Sequence, residues 1–447
     1  MEQAEKIVSK ARSAGADVAE AIVREGADLS ARVRVGQVEV LEEASHHSAG
    51  LRVIRDHRVA LTSTSDLSPE GIDRFVRDGI ELAELSQTDP FAGPADPALI
   101  AKGPFASLDL FDPSVDEVGA QEAIDAALAG ERGAREFDPR ITNMQSSTFS
   151  RGTGATAVVL SAGFSSTWQS SMVSLSVVPV ADDTDGKKRR SGWYEARRHR
   201  ADLPEAAAIG REAARRTVGM LGARKVPTTE AAVVFPQESA ASLIGLLASC
   251  IVGSSVWRRS SYLAARENTR IASDLVTIVD DPLIPRGFGS RAHDGEGLLS
   301  RRNIVVERGI LRTFLCDSYA GRKLERSSTA SGSRGSNAAV GPGTTNFILQ
   351  PVAGSTEQDI IRSTPRGLYV TEMMGFGFNA TTGDFSRGAS GYWIEDGELT
   401  HPVSEVTISL NLDRLLQSID AIADRFELRS SILTPALRVA SMTIGGS

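Results

Sequence analysis

The hydrophobic positions of the first 88 residues follow helical spacing, then strand spacing, then helical spacing again. Four apolar residues share one helical face near the start: Ala4, Ile7, Val8 and Ala11. Four strand-like runs follow, at 18–23, 29–35, 38–42 and 51–62. Gly36-Gln37 and Asp56-His57 are predicted turns, and Ser68-Pro69 predicts the start of a second helix that ends near residue 85. The segment 1–88 is therefore predicted to be a helix, an antiparallel meander and a helix.

Residues 89–224 open with a proline-rich stretch and continue as a second mixed unit. Five prolines between residues 89 and 113 indicate a linker or a loop that follows the surface. The periodicity predicts a helix over 115–128 that stops at Gly130, and a long helix over 204–221. Three strand-like runs between these helices predict a second sheet; they lie at 141–149, 155–161 and 171–180.

From about residue 225 onward the pattern is mostly that of strands. One helix, over 238–250, is apolar nearly all round, which predicts that it is buried. Arg308-Gly309 and Asp396-Gly397 predict hairpin turns, the first between strands at 303–307 and 310–316. The segment 327–343 is rich in Ser, Gly and Ala, which predicts a mobile loop.

These patterns together predict an α+β fold. We expect an N-terminal α/β part with antiparallel sheet and flanking helices, and a mostly β part from about residue 225. The predicted units are 1–88, 89–224 and 225–447, where the middle unit contains the linker and the second α/β part of the N-terminal lobe.

Charge and composition narrow the functional classes. The 447 residues carry 49 Lys and Arg against 57 Asp and Glu, a net charge of −8, which argues against a nucleic-acid binder. The two cysteines, Cys250 and Cys316, exclude a cysteine-rich zinc site and are typical of a reducing compartment. The most apolar stretch, 243–253, is shorter than the ~20 residues that span a bilayer. We therefore expect a cytoplasmic protein that binds neither nucleic acid nor membrane.

Familiar catalytic motifs do not explain this chain. The six histidines form no H-E-x-x-H pair, and there is no G-x-S-x-G elbow. A metal site could also be assembled from residues outside a motif, for example from His293, Asp294 and Glu296. The simpler interpretation is that these three are ordinary polar residues of a loop. Cys250 lies on the apolar helix, where a core thiol is the simpler interpretation.

Polar residues are concentrated in a glycine-rich frame at 371–375 and 382–391. Glycine lets a backbone approach a ligand or another chain closely. Asp384 and Arg387 are expected to form a tight ion pair or to hold a peptide terminus. Two tight turns in a β-domain explain the pattern equally well. The candidate substrate or partner contacts are Glu372, Gly375, Asp384, Arg387 and Ser390.

The same blocks resemble the TldD/PmbA family, and specifically its PmbA (TldE) branch. The resemblance is carried by T-E-M-M-G at 371–375, T-G-D-F-S-R-G-A at 382–389, and further blocks at 221–227, 287–297, 305–319 and 396–405. It implies a two-lobed fold, with an N-terminal α/β lobe whose antiparallel sheet is flanked by helices and a C-terminal β-rich, peptidase-like domain around a buried sheet. It also implies a cytoplasmic proteolytic system, once labelled a modulator of DNA gyrase, that trims modified peptides and degrades small unfolded proteins. In that system a TldD subunit pairs with a PmbA/TldE subunit.

The chain departs from the TldD pattern at the metal site. TldD subunits carry H-E-x-x-x-H on the helix after the domain junction, and a cysteine near the C-terminus. Gly245 stands at the first His position here, Leu246 at the Glu and Cys250 at the second His, and 428–438 contains no cysteine. A zinc peptidase needs metal ligands and a general base. The resemblance therefore implies no cofactor in this chain and a zinc ion in the expected partner.

Three functional hypotheses follow. The favoured one is a non-metal-binding subunit of a heterodimeric TldD/TldE metallopeptidase, with a TldD-type partner and extended peptides or small unfolded proteins as substrates. The alternative is a stand-alone homodimeric protein that binds peptides or regulates without catalysis. A third, an independent hydrolase that uses Glu372, Asp384 or His401, has no recognisable triad.

Overall fold

The computed structural model describes residues 1–184 and 186–446. The helices are α1 Glu2–Ser13, α2 Pro69–Leu85, α3 Ala120–Arg135, α4 Ala206–Gly219, α5 Gln237–Ile251, α6 Gly253–Trp257, α7 Ser318–Lys323, α8 Glu357–Arg362 and α9 Leu412–Gln417. The N-terminal strands are β1 Val18–Arg34, β2 Gln37–Arg55, β3 Arg58–Thr64, β4 Ile141–Leu160, β5 Phe164–Asp182, β6 Lys188–Arg190 and β7 Trp193–Arg197.

The strands after residue 225 are shorter on average. They are β8 Thr229–Phe235, β9 Ile278–Asp280, β10 Asn303–Glu307, β11 Ile310–Leu311, β12 Gly332–Arg334, β13 Val340–Pro342, β14 Phe347–Leu349, β15 Arg366–Met374, β16 Asp384–Glu395, β17 Glu398–Asn411, β18 Ile419–Ile422, β19 Ile432–Leu433 and β20 Leu437–Gly445. Among the helices of residues 1–184 and 186–446, we find none with the length and apolar character needed to cross a membrane.

One continuous sheet joins the whole N-terminal lobe, in the order β3-β2-β1-β4-β5-β6, with β7 also paired to β5. The prediction of a second sheet is therefore wrong, because β4 pairs with β1 from Glu20 to Val33. The four runs predicted within 18–62 form three longer strands, β1, β2 and β3. The first predicted turn lies at Val35-Gly36, one residue early, whereas the turn at Asp56-His57 is confirmed.

The sheet is long because two pairs of helices cover separate parts of the same face. Ala19 and Ala21 of β1 pack with α1 and α2, and Leu29 and Val33 pack with α3 and α4. Between these two parts, residues 23–28 of β1 include no buried residue, and apolar and polar side chains no longer alternate there. The backbone pairing of β1 with β4 nevertheless continues through this segment. The opposite face of the sheet packs against the C-terminal domain, through Ile22 and its neighbours.

Helix α3 begins and ends later than predicted. Residues Pro113–Val115 form a separate 3-10 turn, which Asp112 caps by accepting a hydrogen bond from the Ser114 amide at 2.9 Å. Gly130 does not stop the helix but lets it lie close to the sheet, because a Cβ there would lie 3.0 Å from Val177 Cγ2 and 3.1 Å from Ser147 Oγ. A Cβ on Gly210 of α4 would lie 2.0 Å from the Gly130 carbonyl oxygen, so only glycine fits there.

The C-terminal domain is built around a small closed barrel. The strand order β17-β16-β15-β8-β20 closes through pairing of β17 with β20, and β18 extends β20. A second sheet, β11-β10-β9-β14-β19, packs beside it, and α5 is buried in the core that both sheets share. The α+β class and the hairpin at Asp396-Gly397 are confirmed, while the strand predicted over 310–316 is only Ile310–Leu311.

The segment 327–343 contains a partly buried hairpin and not the open loop that its composition predicted. Strands β12 and β13 pair antiparallel, and Ser331 has no exposed surface. Small residues are needed here for close packing, because a Cβ on Gly332 would lie 3.0 Å from Asp294 Oδ2. Arg334 then donates a hydrogen bond to Glu20 of the N-terminal sheet at 2.7 Å.

Candidate functional site

Helix α5 presents Gly245 to the segment that contains β19. A Cβ on Gly245 would lie 3.0 Å from Ile432 Cδ1, so the two predicted parts of a family metal site face each other. Leu246 is partly buried and packs against the core. Neither Gly245 nor Leu246 offers a side-chain donor atom to a metal ion or a base to a water molecule.

Cys250 is a core residue at the end of the same helix. Its side chain has no exposed surface, and burial raises the pKa of the thiol above its usual range. Across residues 1–184 and 186–446, no three His, Cys, Asp or Glu side chains are grouped so as to hold a metal ion. The residues at α5 therefore do not fit a catalytic zinc ion.

The alternative combination at 293–296 is engaged in separate hydrogen bonds. His293 Nε2 lies 2.9 Å from Ser166 Oγ, and His293 Nδ1 lies 3.1 Å from the Asp294 carbonyl oxygen. Glu296 Oε2 accepts hydrogen bonds from the amide and the hydroxyl of Ser318, at 2.7 and 2.8 Å. Burial lowers the pKa of His293 and raises that of Glu296. These contacts are those of a packed, hydrogen-bonded interior.

The five predicted contact residues lie in and beside one β15–β16 connection. Glu372 is exposed on β15 and pairs with the buried Ser390 of β16. Gly375 follows β15 with a φ of 82°, a conformation that favours glycine. Arg387 Nε donates a hydrogen bond to the Gly375 carbonyl oxygen at 2.9 Å, which fixes the start of the turn.

The predicted ion pair between Asp384 and Arg387 does not form. Asp384 accepts hydrogen bonds from Thr382 Oγ1 at 2.7 Å and Asn411 Nδ2 at 3.1 Å, and these two bonds lower the pKa of its carboxyl group. The strand geometry explains the difference. Asp384 is the first residue of β16 and lies opposite Asn411, whereas Arg387 is three residues further on and reaches back to the turn.

An exposed phenylalanine at the tip of this connection was missed in the sequence. Phe376 is 98% exposed and stands between two glycines, while Met374 beside it is 45% exposed. Phe378 and Ala380 of the same turn pack against the C-terminal core, so the connection is fixed at its base. A phenylalanine isolated by glycines within a polar run was the available indication of a contact surface.

A cavity of about 620 Å³ lies between the lobes, on the face of the N-terminal sheet opposite its helices. Its wall includes Arg24 and Trp168 from the sheet, Phe105 from the preceding loop, and Arg291 and His293 from the C-terminal domain. No sequence pattern predicted it, because its wall is assembled from several segments that lie far apart in the sequence.

Comparison with known proteins assigns the chain to a family. Three family models match it in order: PmbA/TldA metallopeptidase domain 1 over 19–83, the central domain over 113–221 and the C-terminal domain over 228–446. A full-length relative, metalloprotease PmbA of Escherichia coli O157:H7, is 35% identical over 446 residues, which covers 100% of this chain and 96% of the relative. The chain belongs to the PmbA/TldD metallopeptidase family.

Solved structures of the family share its fold. A protein of Bacteroides thetaiotaomicron described as a modulator of DNA gyrase superposes with a TM-score of 0.93 at 26% identity, over 100% of this chain and 98% of that one. TldE of Thermococcus kodakarensis superposes with a TM-score of 0.89 at 20% identity, over 99% and 100%. The resemblance to the PmbA branch that the sequence blocks indicated is confirmed.

Proposed function

We propose that this chain is the non-metal-binding, PmbA/TldE-type subunit of a heterodimeric peptidase whose TldD-type partner holds zinc and cuts the peptide. The observation that carries the proposal is that Gly245 faces the apolar side chain of Ile432 at the place where the family pattern expects metal ligands. Zinc peptidases use the metal to lower the pKa of a bound water and a carboxylate to take its proton. Gly245 and Leu246 have no side-chain atom that could bind the metal or take the proton, and the Cys250 thiol is buried with a raised pKa.

The N-terminal sheet supports a role in holding extended peptides. Strand β3 pairs with β2 only along Ala49–Arg55, so along 37–48 the outer edge of β2 is not covered by β3. An extended chain can add to such an edge through backbone hydrogen bonds, which bind peptides with little sequence preference. This mode suits trimmed peptides and small unfolded proteins.

The β15–β16 connection is the proposed contact with the partner. A fully exposed phenylalanine on a rigid turn gains apolar burial when a partner covers it. Phe376→Ser is therefore expected to weaken heterodimer assembly at least tenfold without changing the stability of the isolated chain. Leu85→Ser, at a side chain that is 83% exposed on α2, is the matched control and is expected to change neither.

The test is to mix this chain with a TldD-type subunit and to measure mass by light scattering and zinc by mass spectrometry. The proposal predicts a mixed complex in which zinc follows the partner, and that Arg387→Ala slows peptide processing relative to the exposed control Arg77→Ala. A chain that forms only homodimers in the mixture would instead favour a stand-alone binding protein. One zinc ion per isolated chain would contradict the proposal that this subunit binds no metal. An unchanged processing rate and unchanged assembly for Arg387→Ala would contradict the proposal that Arg387 contacts the substrate or the partner.

A further inference from the structure

The cavity between the lobes contains two arginines that lack a carboxylate partner. Arg291 forms no ion pair with any described carboxylate, and its Nε and Nη2 atoms are buried without a hydrogen-bond acceptor. Arg24 donates from Nη2 to the Arg334 carbonyl oxygen at 3.1 Å, but its Nε also has no acceptor. Burial lowers the pKa of both guanidinium groups. Both side chains are only partly exposed, and buried guanidinium nitrogens without an acceptor are costly, so their retention points to an anion that enters the cavity.

The two acidic residues in the cavity wall are already engaged. Asp109 pairs with Arg286 at 2.6 Å and with His199 at 3.2 Å. Asp294 accepts three backbone hydrogen bonds, from the amides of residues 296, 298 and 332, at 2.9 to 3.0 Å. Neither carboxylate lies within ion-pair distance of Arg24 or Arg291 among the described contacts, although the charges of Asp294 and of the nearby Asp280 act on Arg291 from a longer distance. The cavity therefore has positive charge available to a ligand.

The unpartnered atoms of Arg291 also define the shape of the anion. Nε and Nη2 lie on one edge of the guanidinium plane, which matches the two oxygens of a carboxylate in a bidentate pair. Arg291 lines the cavity, but its Nε and Nη2 atoms have no accessible surface in this structure, so the side chain must turn about its torsions to present this edge to a ligand.

Aromatic side chains form the other wall. The His293 ring lies 5.2 Å from the rings of both Phe105 and Trp168, and 4.7 Å from that of Phe164. Ser166 holds His293 in place by a 2.9 Å hydrogen bond. Trp168 remains 36% exposed although it faces this cluster. An aromatic ring placed beside Trp168 gains both apolar burial and an edge or stacking contact.

We propose that this cavity binds a small aromatic carboxylate, with the carboxylate on Arg291 and Arg24 and the ring against Trp168 and Phe105. Two sources share this chemistry: the C-terminal residue of a peptide and a free aromatic acid. The peptide source rests on the proposed function, whereas binding of the carboxylate does not.

The experiment is calorimetric titration of the isolated full-length chain with N-acetyl-phenylalanine and with its neutral amide. The acid is expected to bind at least tenfold more tightly than the amide, because the amide cannot form a charged bidentate pair. Arg291→Gln is expected to lose at least tenfold in affinity for the acid, and Arg291→Lys to retain part of it. Arg302→Gln, at an exposed arginine outside the cavity wall, is the matched control and should bind as the wild type does.

The charge of Arg291 also acts on the buried carboxyl groups of Asp280 and Asp294, so the thermal unfolding of Arg291→Gln is compared with that of the wild type. Arg291→Lys keeps the charge and tests the bidentate contact if Arg291→Gln is less stable. Equal affinity for acid and amide, no binding of either, or equal competition by inorganic phosphate would overturn the proposal. Titration with Ala-Ala-Ala-Phe then separates the sources. Tighter binding of Ala-Ala-Ala-Phe than of N-acetyl-phenylalanine supports a peptide C-terminus as the ligand. Binding of N-acetyl-phenylalanine alone overturns this source, but it leaves the carboxylate site and the result of the heterodimer assay unaffected.

Discussion

Glu20 connects the two lobes of the molecule through a buried pair of arginines. It lies on β1 and accepts hydrogen bonds from Arg52 Nη1 at 3.0 Å and from Arg334 Nη2 at 2.7 Å. Arg334 belongs to the partly buried hairpin of the C-terminal domain. Burial alone would raise the pKa of Glu20, but the charges of Arg334 and Arg52 outweigh it and lower the pKa from 4.5 to about 2. Glu20→Gln leaves both arginines without their carboxylate.

The expected cost follows from this pKa. A difference of about 2.5 between the unfolded and folded pKa corresponds to about 3 kcal/mol of stability at pH 7. Breaking a buried ion pair typically costs about 3–5 kcal/mol, which agrees with this magnitude. Because the folded pKa is depressed, the stabilisation is complete above pH 4.5 and is lost as the pH falls towards 2. At pH 3 about 1.4 kcal/mol remains.

The assay is urea unfolding of wild type and Glu20→Gln at pH 7 and at pH 3. The variant is expected to be less stable by about 3 kcal/mol at pH 7, and the difference is expected to shrink by about 2 kcal/mol at pH 3. Glu39→Gln is the control, because Glu39 pairs with Arg34 at 3.5 Å on the exposed part of the hairpin. That change should cost about 0–1 kcal/mol. A loss below about 1 kcal/mol for Glu20→Gln at pH 7, or a difference that does not vary with pH, would show that Glu20 does not stabilise the fold through its charge.

Three further predictions concern the interior. The Cys250 thiol should resist alkylation in the native protein at pH 8 and react after unfolding, because it is buried with a raised pKa; mass spectrometry of iodoacetamide-treated protein measures this. Gly245→Ala should stabilise the protein by up to about 1 kcal/mol, because alanine favours helix and the close atom is the flexible end of Ile432; urea unfolding measures it. Burial, and then the charge of Asp294, raise the pKa of Glu296, so the charged carboxylate destabilises the fold at pH 8. Glu296→Gln should therefore be more stable than the wild type at pH 8, by a margin that shrinks towards pH 4; thermal unfolding at several pH values measures it.

Each of these has a clear contrary result. Rapid native alkylation would show that the thiol is accessible, and a loss of more than 1 kcal/mol in Gly245→Ala would show that the facing side chain does not yield. A Glu296→Gln variant that is equally destabilised at both pH values would show that the carboxylate acts only as a hydrogen-bond acceptor.

Local sequence patterns predicted local structure well where one residue type controls the geometry. Ser68 caps α2 by accepting a hydrogen bond from the Gly71 amide at 3.1 Å, as the Ser-Pro pattern indicated. Asp396-Gly397 forms the expected hairpin because both residues adopt positive φ, at 51° and 80°. The apolar helix at 238–250 is buried as expected.

Long-range packing was less predictable because its causes lie on other segments. The polar stretch in the middle of β1 suggested two strands, but partner strands on both sides continue the ladder through it. Gly130 suggested a helix end, but the close approach of the sheet side chains Val177 and Ser147 explains it. The composition of 327–343 suggested mobility, whereas the contact of Arg334 with Glu20 needs the distant sheet to be present. The cavity between the lobes depends on the same long-range packing.

The most direct test of the proposed role is cleavage of a disordered peptide by this chain alone, by a TldD-type partner alone, and by the two mixed, each with and without a metal chelator. We expect cleavage in the mixture only, and we expect the chelator to abolish it. Chelator-sensitive cleavage by this chain alone would contradict this expectation, and a partner whose activity does not change when this chain is added would contradict the role of a subunit.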